Sequence, residues 1–259
     1  METVTSRDGT TIAFDRYGSG GPAVVLVGGA IQHRLIDQQT GRLASLLADA
    51  GFTALHYDRR GRGDSTDTQP YAVERELEDI DAVIAAAGDT AFLYGMSSGA
   101  ALVLRAAASG RPTDRIALYE APFGAGGGPD APPVEPIFEA IREGRRGDAM
   151  ELFMRRAGMP AEAAAQVRQG PGWSALEAVA PTLANDLTIM GDGSVPHDIL
   201  AAVKVPVLAI DGGASPPWAA ASAEAIVAAV PNGHRRTLPD QTHAVNPDVL
   251  APPLIEFFS

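Results

Sequence analysis

The sequence predicts an α/β protein: a mostly parallel, doubly wound sheet with helices on both faces and one helical insertion. Three observations carry this. Short apolar, β-branched runs recur without polar alternation, as strands covered on both faces require. Stretches with apolar residues at helical spacing separate them, and such alternation implies parallel strands joined by crossovers. The interval 122–204 alone breaks the rhythm. The chain is therefore expected to divide into a core, 1–121 and 205–259, and an insertion, 122–204.

The elements follow in order. Thr3-Val4-Thr5 and Thr11–Phe14 flank Asp8-Gly9, a hairpin signal. Ala23–Val27 is an uninterrupted apolar strand ended by Gly28-Gly29. A helix is expected over Gln39–Ala50 and a strand over Phe52–Tyr57. In Ala72–Ala87 the residues Val73, Leu77, Ile80, Val83, Ile84 and Ala87 fall on one helical face. Its carboxylates Glu74, Glu76, Glu78, Asp79 and Asp81 lack a histidine at ligand spacing and are expected to form a solvated face. Strand Ala91–Tyr94, helix Ser98–Ser109 and strand Ile116–Tyr119 complete the first part. After the insertion come strand Val205–Ile210, helix Pro216–Val230, a short strand at Arg235–Leu238 and helix Pro247–Phe258. The insertion opens on the flexible tract Gly124–Pro129 and carries helical pieces at Val134–Glu143, Asp148–Arg156, Ala161–Arg168 and Trp173–Ile189.

Composition narrows the function. With 259 residues the chain is long enough for a large core, and with no Cys it can form neither disulfides nor thiolate metal sites nor a Cys nucleophile. A net charge of −12 opposes binding to nucleic acid, for which no dense Lys/Arg block compensates. No apolar stretch reaches the roughly 18 residues of a membrane helix, and the start shows no basic leader before an apolar run. A cytoplasmic protein acting on a small molecule, with neither nucleic acid nor membrane as partner, is expected. Either a monomer or a homodimer fits.

Gly95-Met96-Ser97-Ser98-Gly99 fits G-x-S-x-G, the nucleophile elbow. Its context strengthens it: an apolar strand, Phe92-Leu93-Tyr94, precedes it and a small-residue helix follows. A sharp strand-to-helix turn strains the middle residue and leaves no room for side chains two positions away, hence the glycines. It also sets Ser97 at a helix N-terminus, where N–H groups stabilise negative charge. The bland reading is a turn with a capping serine. Gly18-Ser19-Gly20-Gly21-Pro22-Ala23 loosely matches a dinucleotide fingerprint but precedes a strand and opens no helix. Neither G-x-x-x-x-G-K-[ST] nor H-E-x-x-H occurs.

With these residues the chain resembles the α/β-hydrolase superfamily over nearly its whole length apart from the insertion. Val27-Gly28-Gly29-Ala30 resembles the strand-end loop that supplies half of the oxyanion hole, with Gly-Gly where many members carry His-Gly. Tyr57-Asp58-Arg59-Arg60-Gly61-Arg62-Gly63-Asp64-Ser65 resembles the D-x-R-G-x-G-x-S segment. The resemblance implies Ser97 as nucleophile and the N–H groups of Ser98 and of Ala30 or Ile31 as oxyanion donors. The base belongs after the last strand, where Thr237–His243 places His243. His56 falls within a strand, His197 and His234 are poorly placed, and His33 is expected to line the pocket.

The acid is displaced. Many relatives carry it after the penultimate strand, where this chain has Ser215, read here as the N-cap of the following helix. Glu120, at the end of Ile116–Tyr119, is the expected third member, since a carboxylate there needs a partner and an imidazolium would be one. Asp211 is the alternative acid, and a salt bridge to Arg115 the bland reading of Glu120. The function implied is a cofactor-independent serine hydrolase cleaving a carboxylic ester or related acyl bond; a cyclase or lyase on the same scaffold, or a ligand-binding pseudo-hydrolase, stays open. Gly29, Ile31, His33, Met96, Phe123, Phe153 and Trp173 are expected to meet the substrate. Met150, Met154 and Met159 are expected to pack the insertion.

Overall fold

The computed structural model describes residues 1–124 and 133–259, so the expected Gly-rich tract, beyond Gly124, lies outside the described residues. Eight strands form one sheet in the order β1-β2-β4-β3-β5-β6-β7-β8. They are β1 (Glu2–Thr5), β2 (Thr11–Tyr17), β3 (Ala23–Val27), β4 (Thr53–Tyr57), β5 (Phe92–Met96), β6 (Ile116–Tyr119), β7 (Val207–Gly212) and β8 (Gly233–Leu238). β1 and β2 form the hairpin around Asp8-Gly9 and β2 runs antiparallel to β4, while the remaining pairings are parallel.

Around the sheet lie α1 (Gln38–Asp49), α2 (Val73–Ala87) and α3 (Ser98–Ala108), then α4 (Glu135–Arg142), α5 (Arg146–Arg156), α6 (Ala161–Arg168) and α7 (Trp173–Val179). α8 (Leu183–Met190), α9 (His197–Ala202), α10 (Pro217–Ala229) and α11 (Pro247–Phe258) complete the chain. Side-chain alternation along the strands builds two cores. Val25, Val27, Leu93, Leu118 and Ala209 pack with α2, α3 and α10, whereas Val24, Leu26, Tyr94, Tyr119, Leu208 and Ile210 pack with α1 and α11. Each such fully buried aliphatic side chain stabilises the fold by about 1.5–3 kcal/mol.

Three departures from the sequence reading have identifiable causes. The helix expected over Trp173–Ile189 is broken by a 3₁₀ turn at Ala180–Thr182, because Pro181 lacks the N–H that would continue α7. Glu76 and Asp79 are not on a solvated face. Both are 1% exposed and are held by arginines of the segment after β4: Glu76 by Arg59 (2.7 and 2.8 Å) and Asp79 by Arg60 (2.7 Å to each oxygen). Ser215 does not cap α10; the N-cap is Pro216, and the serine hydroxyl points elsewhere. α9 had no counterpart in the sequence reading.

Candidate active site

The segments that follow β3, β5 and β8 converge on one cavity, and the strained backbone positions cluster around it. All four non-glycine residues with positive φ among those described are Ile31 (61°), Ser97 (54°), Glu120 (46°) and Asp240 (59°). Ile31 and Ser97 line the cavity, Asp240 precedes the loop of the cavity-lining His243, and Glu120 contacts that histidine; such conformations persist only where surrounding contacts enforce them.

β5 ends at Met96 and α3 begins at Ser98, leaving Ser97 alone in the turn with φ 54° and ψ −124°. Its N–H donates to the Tyr119 carbonyl (3.0 Å) and its carbonyl accepts from the Ala100 N–H (2.9 Å), so the turn is tied to β6 and to its own helix. A Cβ on Gly95 would stand 2.6 Å from the Gly99 carbonyl oxygen, and one on Gly29 3.0 Å from the Ser97 Cβ. Gly95 lets the turn after β5 fold back onto the start of α3, and Gly29 lets the loop after β3 touch that turn. As the first residue of α3, Ser98 presents an N–H with no intrahelical acceptor.

β6 delivers Glu120, whose side chain is fully buried. Its Oε2 lies 2.7 Å from Nδ1 of His243, while Oε1 accepts from the Ser215 hydroxyl (2.5 Å) and the Gly212 N–H (3.0 Å). Burial opposes ionisation, but the hydrogen bonds from His243, Ser215 and Gly212 outweigh it and hold this carboxyl below its ordinary range. A carboxylate only accepts, so Nδ1 of His243 carries the proton and Nε2 is the basic nitrogen. The histidine loop is anchored by the Tyr119 hydroxyl, which donates to the Thr242 carbonyl at 2.6 Å. Asp211 is turned away: Arg235 (2.8 and 3.2 Å) and the Thr237 hydroxyl (3.0 Å) occupy its carboxylate. Arg115 does not meet Glu120 either; it donates to the Phe257 carbonyl and covers the Phe92 ring.

Ser97 and His243 both line a cavity of about 480 Å³. Gly29, Ala30, Ile31, Met96 and Phe153 line it with them, as do Met154 and Met159, which sequence reasoning had assigned to packing within the insertion. Three expected contacts are elsewhere. Phe123 is 4% exposed within the core on the α2 and α3 face. Trp173 packs inside the insertion, with the Arg168 guanidinium 5.7 Å above its ring. His33 is buried behind the loop, where its carbonyl accepts from the Ile36 and Asp37 N–H groups, and burial lowers the imidazole's basicity.

Among the cavity-lining residues that went unread are Gln32 and Asp37. Gln32 accepts from the Gly29 N–H through Oε1 (2.5 Å) and donates through Nε2 to Asp37 (2.8 Å). Asp37 also caps α1, accepting from the N–H and hydroxyl of Thr40. The capping spacing Asp37-x-x-Thr40 was a readable signal; the side-chain bond across the loop was not.

Behind the loop lies a buried ionic cluster. Asp186 of α8 accepts from Arg59 (2.8 Å), Arg62 (2.6 Å) and the Ser98 hydroxyl (2.7 Å). Its burial opposes ionisation, yet the two guanidinium groups and the hydrogen bonds hold its carboxyl below the usual range. Among the described residues no group of three or more His, Asp or Glu side chains is arranged to hold a metal ion, and no helix is long and apolar enough to cross a membrane.

A family model described as alpha/beta hydrolase matches residues 24–252. Among solved structures, an alpha/beta hydrolase from Sphaerobacter thermophilus DSM 20745 is 49% identical, with 100% of both chains covered and a TM-score of 0.89. A thermophilic esterase from Thermogutta terrifontis is 20% identical, with 99% of this chain and 97% of that one covered and a TM-score of 0.72. The enol-lactonase from Burkholderia xenovorans LB400 is also 20% identical, with 99% of each chain covered and a TM-score of 0.71. No curated protein matches the chain.

Proposed function

Because the chain belongs to the alpha/beta hydrolase family, we propose that it is a cofactor-independent serine hydrolase that cleaves a carboxylic ester or related acyl bond of a small molecule. One observation carries this reading. Ser97, in a strained turn at a helix N-terminus, shares a cavity with His243, whose Nδ1 is held 2.7 Å from a buried carboxylate.

In this mechanism Ser97 Oγ attacks the carbonyl carbon while Nε2 of His243 takes its proton, and the same proton then passes to the leaving alcohol. Glu120 fixes the tautomer and stabilises the imidazolium. The N–H groups of Ser98 and Ala30 receive the oxyanion, each such donor accelerating turnover by about 10²–10³-fold. Water then releases the acyl group by the same route. The insertion acts as a cap: Phe153, Met154 and Met159 with Met96, Leu43 and Leu250 give an apolar chamber suited to a medium-sized aliphatic or aromatic acyl group. An ester or lactone also agrees with the names of two structural neighbours, an esterase and an enol-lactonase.

The test is labelling with a fluorophosphonate probe followed by peptide mapping, alongside turnover of p-nitrophenyl esters of increasing chain length. Rapid modification of Ser97, absent in Ser97→Ala and strongly slowed in His243→Ala, is expected. A wild-type protein that neither labels nor turns over any ester of the series refutes the reading and favours a receptor or a cyclase.

A further inference from the structure

The two N–H groups assigned to the oxyanion are held by a single set of buried partners. The Ala30 N–H belongs to the same peptide as the Gly29 carbonyl, and that carbonyl accepts from Nη1 of Arg62 at 2.6 Å. A trans peptide is planar, so an anchor on its C=O aims the N–H on the opposite side. A cationic donor on the carbonyl also polarises the amide and strengthens the N–H as a donor. On the preceding peptide, the Gly29 N–H is held by Gln32. The loop is therefore gripped from both sides.

The second donor residue is tied to the same cluster. The Ser98 hydroxyl donates to Oδ1 of Asp186 (2.7 Å), and Oδ2 of Asp186 accepts from Nη2 of Arg62 (2.6 Å). Thr182, just before α8, accepts from Nε of Arg62 (3.1 Å), and Arg59 bridges Asp186 and the Gly28 carbonyl (2.8 and 3.4 Å). Asp186 and Thr182 come from the insertion, whereas the residues they hold come from the core. Buried ion clusters of this kind add little net stability over apolar packing of the same volume. What this one supplies is geometry: one carboxylate stands a single bond from Ser98 and two bonds from the Ala30 peptide.

We propose that Arg62 and Asp186 are positioning residues that set the oxyanion hole, so that the hole is complete only when the α8 segment of the insertion is seated on the core. The proposal rests on the serine-hydrolase reading above.

The experiment compares wild type with Arg62→Lys and Asp186→Asn in steady-state turnover and in inhibition by two probes, trifluoromethyl hexyl ketone and methyl hexyl ketone. The fluorinated ketone forms a reversible adduct: Ser97 Oγ bonds to the carbonyl carbon, its proton passes to His243, and the former carbonyl oxygen carries the charge. The methyl ketone fills the cavity without needing the hole. Expected is a kcat lower by about 10–100-fold with KM changed less than about threefold. Inhibition by the fluorinated ketone should weaken by the same factor as kcat/KM, with the methyl ketone unaffected. Folded variants that keep kcat and inhibition by the fluorinated ketone within about twofold of wild type overturn the proposal. Equal weakening of both ketones also overturns it, because that is a deformed cavity. If either buried variant fails to fold, Ser98→Ala, which keeps the N–H and removes the hydroxyl's bonds to Asp186 and Arg59, should lower kcat by about 3–10-fold, and an unchanged kcat refutes the proposal. A wild type that escapes both the fluorophosphonate and the fluorinated ketone brings down both readings; a wild type that reacts, with variants unaffected, brings down this one alone.

Discussion

The Ser215 hydroxyl lies 2.5 Å from Oε1 of Glu120, so a serine of the segment after β7 solvates the carboxylate at the end of the neighbouring strand β6. The bond is charge-assisted and its acceptor is fully buried. Ser215→Ala should therefore lower stability by about 1.5–3 kcal/mol. Turnover should fall on the order of tenfold, because the carboxylate loses one of the contacts that orient it toward His243. Chemical denaturation and ester turnover measure the two effects, and an unchanged denaturation midpoint would refute the first.

Glu120 and Asp211 separate cleanly by substitution. Glu120→Gln should reduce kcat by on the order of 10³–10⁴-fold, as expected when an imidazole loses its tautomer-fixing carboxylate. Asp211→Asn should leave kcat within a few-fold and act on the fold instead, costing about 1–2 kcal/mol because the half-exposed Arg235 keeps some solvation. The assignment fails if the Asp211 change alone abolishes turnover.

Stability should also report on Glu120 through pH. Its folded carboxyl is held below the ordinary value, so its contribution is fully present above the unfolded value of about 4.3 and is lost as pH falls through the lowered folded value. The difference in unfolding free energy between wild type and Glu120→Gln should therefore shrink as the solution is taken from about pH 6 to about pH 3. A constant difference over that range would contradict the assignment of an ionised, hydrogen-bonded Glu120.

The elbow makes a steric demand that is independent of chemistry. An added Cβ at Gly95 would lie 2.6 Å from the Gly99 carbonyl oxygen and 2.7 Å from the Ala100 Cα, both backbone atoms that cannot swing aside. Gly95→Ala should cost about 1–3 kcal/mol or more and lower activity in the folded fraction by displacing Ser97. Thermal unfolding at or above the wild-type midpoint would show that the turn has slack.

Much of this molecule was legible in one dimension because its signals are local. Uninterrupted apolar runs fix which segments are buried strands, and the pair of glycines around Ser97 follows from a turn that excludes Cβ atoms. His243 was reachable from its place after the last strand. Glu120 was the expected partner of His243 with Asp211 as the alternative, and what separates the two is geometric. Tyr119 and Ile210 are partners in the parallel register, so Glu120 and Asp211 leave adjacent strands at the same level. By alternation both would fall on the α10 face, with Leu118 and Ala209. Asp211 stays there, beside Arg235 and Thr237, while the left-handed backbone of Glu120 takes it out of the alternation and toward the histidine. The buried pairing of Glu76 and Asp79 with arginines, the bond from Arg62 to Gly29, and the turning of Phe123 and Trp173 away from the cavity depend likewise on contacts between distant segments. Sequence by itself pointed to the backbone frame and to Ser97 and His243 as candidates; packing of those segments alone decided which charges meet, because the energy of a buried charge depends on its neighbours in space rather than along the chain.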